Sequence, residues 1–148
     1  MEKMKAILSF TAESVGLEME EGLEAVEFEN EAEGSSFAFT TETQDTARKK
    51  NPHLVRAWWH HAGQGADEFN MVFTDIRIGL GRFQAQLTVT PSSRAAFPFD
   101  GVDISFAEID AQETAGLISI FRSMFRDKTD LIALDIPGMP KKLPKLPR

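Results

Sequence analysis

The chain has 148 residues, enough for one domain with a sizeable core and a squeeze for two. Its net charge of -7, from 23 acidic against 16 basic residues, disfavours a general nucleic-acid binder, so any nucleotide site must be local. With no cysteine there is neither a disulfide nor a thiol nucleophile, and no stretch reads as an export signal or membrane span, so the expected location is the cytoplasm with no membrane partner.

Met4, Ala6, Leu8 and Phe10 alternate with Lys3, Lys5, Ile7 and Ser9, the period of a first strand with a partly basic outer side. Val26, Phe28, Asn30 and Ala32 then alternate with Glu27, Glu29, Glu31 and Glu33, a pattern that favours a strand over a helix across 23–33. Gly34, Ser35 and Ser36 turn the chain into a β-prone run with Phe37 and Phe39 on one face, which completes a hairpin. A row of carboxylates repels itself, and pairing near Lys3 and Lys5 would ease it. It serves either as an edge strand guarded by charge or as a docking surface for a basic protein.

Residues 48–63 support two readings. Asn51 as N-cap, Pro52 at the first position and Gly63 as the stop frame a helix with Leu54, Val55, Trp58, Trp59 and Ala62 on one side. Alternatively, Val55, Ala57 and Trp59 alternate with Arg56, Trp58 and His60 as a strand entering a hairpin loop over 63–67. The clearest hairpin follows: a β-prone run over 69–78, a turn at Gly79, Leu80 and Gly81, then Phe83, Ala85, Leu87 and Val89 in alternation.

After the turn-rich stretch 91–101, Val102, Ile104 and Phe106 alternate with Asp103, Ser105 and Ala107. Asp110 and Glu113 have the spacing of a capping box for a helix over 111–126, whose stripe is Leu117, Ile118, Phe121, Met124 and Phe125. Arg122, Arg126 and Lys128 suit the negative end of its dipole. A short last strand over 131–136 precedes a proline-rich basic tail, 137–148, that reads as extended and flexible.

These elements give an α+β fold: an antiparallel, twisted sheet or small, partly open β-barrel covered by one C-terminal helix, with twelve phenylalanines and no tyrosine supplying an apolar core. The domain spans 1–136, with 1–47 as added strands or an extension before the part at 48–136.

Chemistry-bearing patterns are sparse. His53, His60 and His61 with Asp67 and Glu68 lack the spacing of a metal site, so neither metal nor cofactor is expected. Asp75, Asp100 and Asp103 show no paired-carboxylate signature. Gly79 and Gly81 lack the lysine and following helix of a phosphate loop and read as a hairpin turn. Of Trp58 and Trp59, one can stack on a ligand while the other serves the core. Arg48, Lys49 and Lys50, with His53 and Arg56 beyond, form the one dense basic patch and suit phosphate.

The run ARKKNPHLVRAWW, then VFTDIRIGLGRF, then VDISFAEIDAQETAGLISIFRSMF, resembles a PilZ domain. That family places a basic loop with an RxxxR motif before a small barrel, a D/N-x-S-x-x-G motif on a nearby turn and a closing helix, and its better-known members bind cyclic di-GMP. Lys49 and His53 stand at the two motif arginines with Arg48 beside the first; Asp75 fits the second motif, Arg77 replaces its serine, and Gly79 and Gly81 flank Leu80 at its glycine position. The resemblance implies that Arg48, Lys49 and His53 clasp phosphates or stack on guanine while Asp75 bonds a guanine edge. Arg77 then either adds a phosphate contact or marks a member that has exchanged ligand for protein binding.

The expected function is therefore a non-enzymatic regulatory adaptor with a degenerate cyclic dinucleotide site at Arg48, Lys49, His53, Arg56, Asp75, Arg77 and Gly79. The alternative is a ligand-free protein-interaction module, such as an inhibitor, immunity protein or chaperone, that uses Glu27, Glu29, Glu31 and Glu33.

Overall fold

A computed structural model describes residues 6–62, 65, 67–94, 96–106, 111–126 and 128–141. Among them nine strands form one sheet: β1 (Ile7–Ala12), β2 (Ser14–Glu20), β3 (Leu23–Asn30), β4 (Ser35–Glu42), β5 (Leu54–His60), β6 (Asp67–Gly79), β7 (Arg82–Val89), β8 (Gly101–Phe106) and β9 (Ile132–Asp135). Helices α1 (Thr46–Lys50) and α2 (Pro91–Arg94) are short connections, and α3 (Ala111–Met124) is the long C-terminal helix. The fold is α+β.

From β2 to β8 each strand pairs antiparallel with its successor, and β1 adds parallel to β8. A single residue, Glu13, joins β1 to β2, and its N–H donates to Glu29 O at 2.7 Å. One kinked strand thus serves both ends of the strand order, although the ladder is not closed. β6 shifts register between Phe73 and Asp75; its first half pairs with β5, and its second half takes β9 as a parallel neighbour instead.

Alternation decides what lies inside. Val26 and Phe28, Phe37 and Phe39, Val55 and Ala57, Phe69 to Phe73 at every second residue, Phe83 to Val89 likewise, and Val102 to Phe106 all project into one core. Every phenylalanine but the half-buried Phe99 is buried. α3 brings Leu117, Ile118, Phe121, Met124 and Phe125 onto this surface, as its stripe requires. The helix ends two residues before the expected 126, and Phe125 N–H still donates to Phe121 O at 3.1 Å.

Several expectations change. The helix framed by Asn51 and Pro52 does not form: the helix nearby, α1, ends at Lys50 ahead of that expected cap, and the strand alternation wins as β5. Asn51 does not cap a helix; its Oδ1 accepts from His53 N–H at 3.1 Å in a turn that launches β5. The acidic row is shorter than its pattern. Asn30 donates from Nδ2 to Thr11 O at 2.8 Å and accepts the Glu33 N–H on Oδ1 at 3.1 Å, which ends β3 and leaves Glu31 and Glu33 in the turn. Nor is β3 an edge strand, since β2 and β4 flank it. The Asp110 cap, Lys3, Lys5 and tail residues 142–148 lie outside the described residues. Before them the chain turns at Gly138, φ 85°, and Leu134 N–H donates to Lys141 O at 2.7 Å.

The hairpin turn at Leu80 and Gly81 is as expected, with Gly81 at φ 71° explaining the glycine. Gly101 is constrained by space instead. A Cβ there would sit 2.9 Å from both Ala85 O and Ile7 Cδ1, where β8 is gripped between β1 and β7. Gly101→Ala is expected to cost about 2 kcal/mol in urea melts, because the carbonyl cannot yield without moving a strand. An unchanged midpoint would show that the three strands are not so closely apposed.

Candidate functional site

The basic patch begins on α1, where Lys49 N–H donates to Asp45 O at 3.0 Å, and ends in the turn that closes with Leu54 N–H on Asn51 O at 3.0 Å. This bend carries Arg48 against the end of α3. Its Nη1 donates to Leu54 O at 2.9 Å and its Nη2 to Met124 O. Met124 is the last residue of α3, where carbonyls lack helical partners, so Arg48 caps that helix from the far side of the sequence. Burial draws its guanidinium below the ordinary arginine value, and the charges of Glu24 and Asp45 act against that shift.

Around Arg48 opens a cleft of about 390 Å³, lined by Glu24, Thr41, Lys49, His53 and Arg126 among others. Glu24 lies on the inward side of β3, in step with Val26 and Phe28. Its Oε1 accepts from Thr41 Oγ1 at 3.2 Å, while Oε2 is buried without a hydrogen-bond partner among the described residues. Lys49 and Arg126 are exposed at the rim, and Glu42 is also in the lining. The cleft is of mixed charge with a cationic rim.

The expected ligand residues do not all meet there. Arg48, Lys49 and His53 share the cleft. Arg56 stands on the outer face of β5 with Nε 2.6 Å from Asp45 Oδ2 and Nη1 on Glu68, so two carboxylates hold its charge and raise its pKa. Asp75 accepts from Arg77 Nε at 3.2 Å on β6. Arg77 and Gly79 line a separate depression of about 330 Å³ with Arg82, Asp135 and Lys141. The chain distributes its RxxxR-like and Asp75 elements over different surfaces.

The remaining groups resolve similarly. Asp100 is paired with Arg94, and Asp103 accepts from Arg82 at 3.1 and 2.7 Å, hydrogen bonds that hold its carboxyl below the ordinary range. Trp59 packs into the core against Phe37 and Phe10 and stacks on His61 at 5.3 Å, whereas Trp58 is exposed on the outer face. Among the described residues no three His, Cys, Asp or Glu side chains converge as a metal site.

No protein-family model, curated protein or solved structure matches the chain. Among the described residues no helix is long and apolar enough to cross a membrane.

Sequence reading missed β2, Glu24, Asp45 and Arg126 as parts of these surfaces. β2 had a usable signal, the alternation of Val15, Leu17 and Met19 with Gly16, Glu18 and Glu20. For Glu24, the parity it shares with Val26 and Phe28 points inward; Asp45 and Arg126 carry no comparable local mark.

Proposed function

We propose that this protein is a non-enzymatic regulatory module that binds a phosphate-bearing ligand in the cleft between α1 and the end of α3, a cyclic dinucleotide being the ligand that the resemblance to PilZ domains implies. The observation that supports this reading is the convergence of Arg48, Lys49 and His53 on one cleft, joined by Arg126. Arg48 is half-buried with Nη1 and Nη2 held on two backbone carbonyls, so the first phosphate contact falls to the exposed Lys49 and Arg126 at the rim, with His53 beside them. Asp75 is not in the lining, which leaves no expected residue to read a guanine edge. Such a site grips charge and tolerates different bases.

Calorimetric titration with cyclic di-GMP tests it. Saturable binding is expected, weakened about tenfold in Lys49→Ala/Arg126→Ala, about 1.4 kcal/mol, and changed less than twofold in Asp75→Ala. Cyclic di-AMP should bind within a few-fold of cyclic di-GMP. No heat at millimolar ligand would overturn the reading, and loss of binding in Asp75→Ala would replace the cleft with a site around β6.

A further inference from the structure

The outer face of β2 to β5 is uncovered by any described helix and has an unusual relief. In register across four strands lie Gly16, Glu27, Ala38 and Trp58. The neighbouring outward positions on β3 and β4 are again small, Ala25 and Ser36, and the floor they form lies under a groove of about 500 Å³. Side chains rise at its sides: Glu18 and Glu27 toward β2 and β3, Trp58 toward β5. The Trp58 Nε1–H donates to Thr40 Oγ1 at 3.3 Å, which steadies an indole that is still 37% exposed.

We propose that this groove docks a basic, extended segment of a partner protein, with one arginine or lysine side chain laid over Ala38 between the Trp58 indole and the Glu27 carboxylate. Trp58 and Glu27 stand on strands two ladder steps apart, about 10 Å, a gap that admits a guanidinium or ammonium group to touch both. An indole attracts a cation through its ring face, and an arginine adds planar stacking and a forked hydrogen bond to the carboxylate. Ala38 in the gap is what makes room; a larger side chain on β4 would fill it.

Charge selects the occupant. Among the described residues neither Glu18 nor Glu27 is in an ion pair with lysine or arginine, in contrast to Asp45, Asp75, Asp100 and Asp103. Burial and the neighbouring Glu29 push the Glu27 carboxyl above its ordinary value, a cost that an incoming cation relieves. A second copy is a poor occupant, since the chain carries -7 and would set carboxylates against carboxylates. This site is separate from the α1 cleft, and no residue lines both.

The probe is the peptide acetyl-Gly-Arg-Gly-Arg-Gly-amide, titrated into the full chain by calorimetry and tryptophan fluorescence, with its citrulline counterpart as the uncharged isostere. The arginine peptide is expected to bind at least tenfold more tightly than the citrulline peptide. Glu27→Gln and Trp58→Leu should each weaken it about fivefold or more, while Glu31→Gln/Glu33→Gln, which remove charge from the turn outside the groove, should change it less than twofold. Lys49→Ala/Arg126→Ala should leave it unchanged. Equal binding of the two peptides, equal loss in the turn variant, or no binding at millimolar peptide would each overturn the proposal.

Discussion

Phe121→Ala is expected to destabilise the protein by about 4 kcal/mol. Phe121 is fully buried, with its ring 5.0 Å from Phe83, 6.2 Å from Phe39 and 6.5 Å from Phe73, so one helix residue touches strands β4, β6 and β7 at once. Those neighbours are held by one another, Phe39 on Phe73 at 5.1 Å and on Phe83 at 5.7 Å, and cannot collapse into the space that alanine leaves. The cost therefore includes a residual cavity as well as the lost transfer energy. Urea melts should show it directly, and thermal unfolding should give a Tm lower by on the order of 10 °C. Phe121→Leu should lose roughly half as much. A loss below about 1 kcal/mol for alanine would mean that α3 does not seat in the curve of the sheet.

Arg48→Met should cost about 3 kcal/mol, a large effect for a residue that the sequence marks as a ligand contact. Methionine keeps the apolar stem but leaves Leu54 O and Met124 O without their charged donor, at the start of β5 and the end of α3. It also removes a positive charge that interacts with the partly buried Glu24. Arg48→Lys should recover only part of the loss, because an ammonium cannot present two diverging N–H groups to carbonyls held in place by separate elements. Equilibrium unfolding monitored by far-ultraviolet circular dichroism measures both. Equal stability of the methionine variant would show that the two carbonyls are otherwise satisfied, and would return Arg48 to the set of free ligand contacts.

Much of the fold is readable along the chain because its signals are local. The alternation around Phe28, Phe37, Val55, Phe83 and Ile104 reports which side of each strand is buried, and the spacing of Leu117, Phe121 and Met124 reports a helical face. The same alternation overreaches at Glu31 and Glu33, where the pattern continues but Asn30 turns the backbone. It also leaves residues 48–63 undecided, since the seven-residue strand β5 is too short for its alternation to exclude a helical reading of Leu54, Val55, Trp58 and Trp59.

The site was legible in part. Arg48, Lys49 and His53 lie close in sequence and share a cleft, as adjacent residues around one turn readily do. Whether Asp75 joins them depends on the route of β6 through the sheet, and the answer is that it faces Arg77 instead. The sequence by itself determined the apolar faces, the β6–β7 hairpin and the presence of a closing helix, because each depends on backbone periodicity over a few residues. Only the tertiary structure decided that Arg48 binds a carbonyl 76 positions away, that Arg56 is neutralised by Asp45 and Glu68, and that Gly16, Glu27, Ala38 and Trp58 form one row. These depend on which strands become neighbours and in what register, and that is settled by how the whole set of apolar faces packs together rather than by any stretch alone.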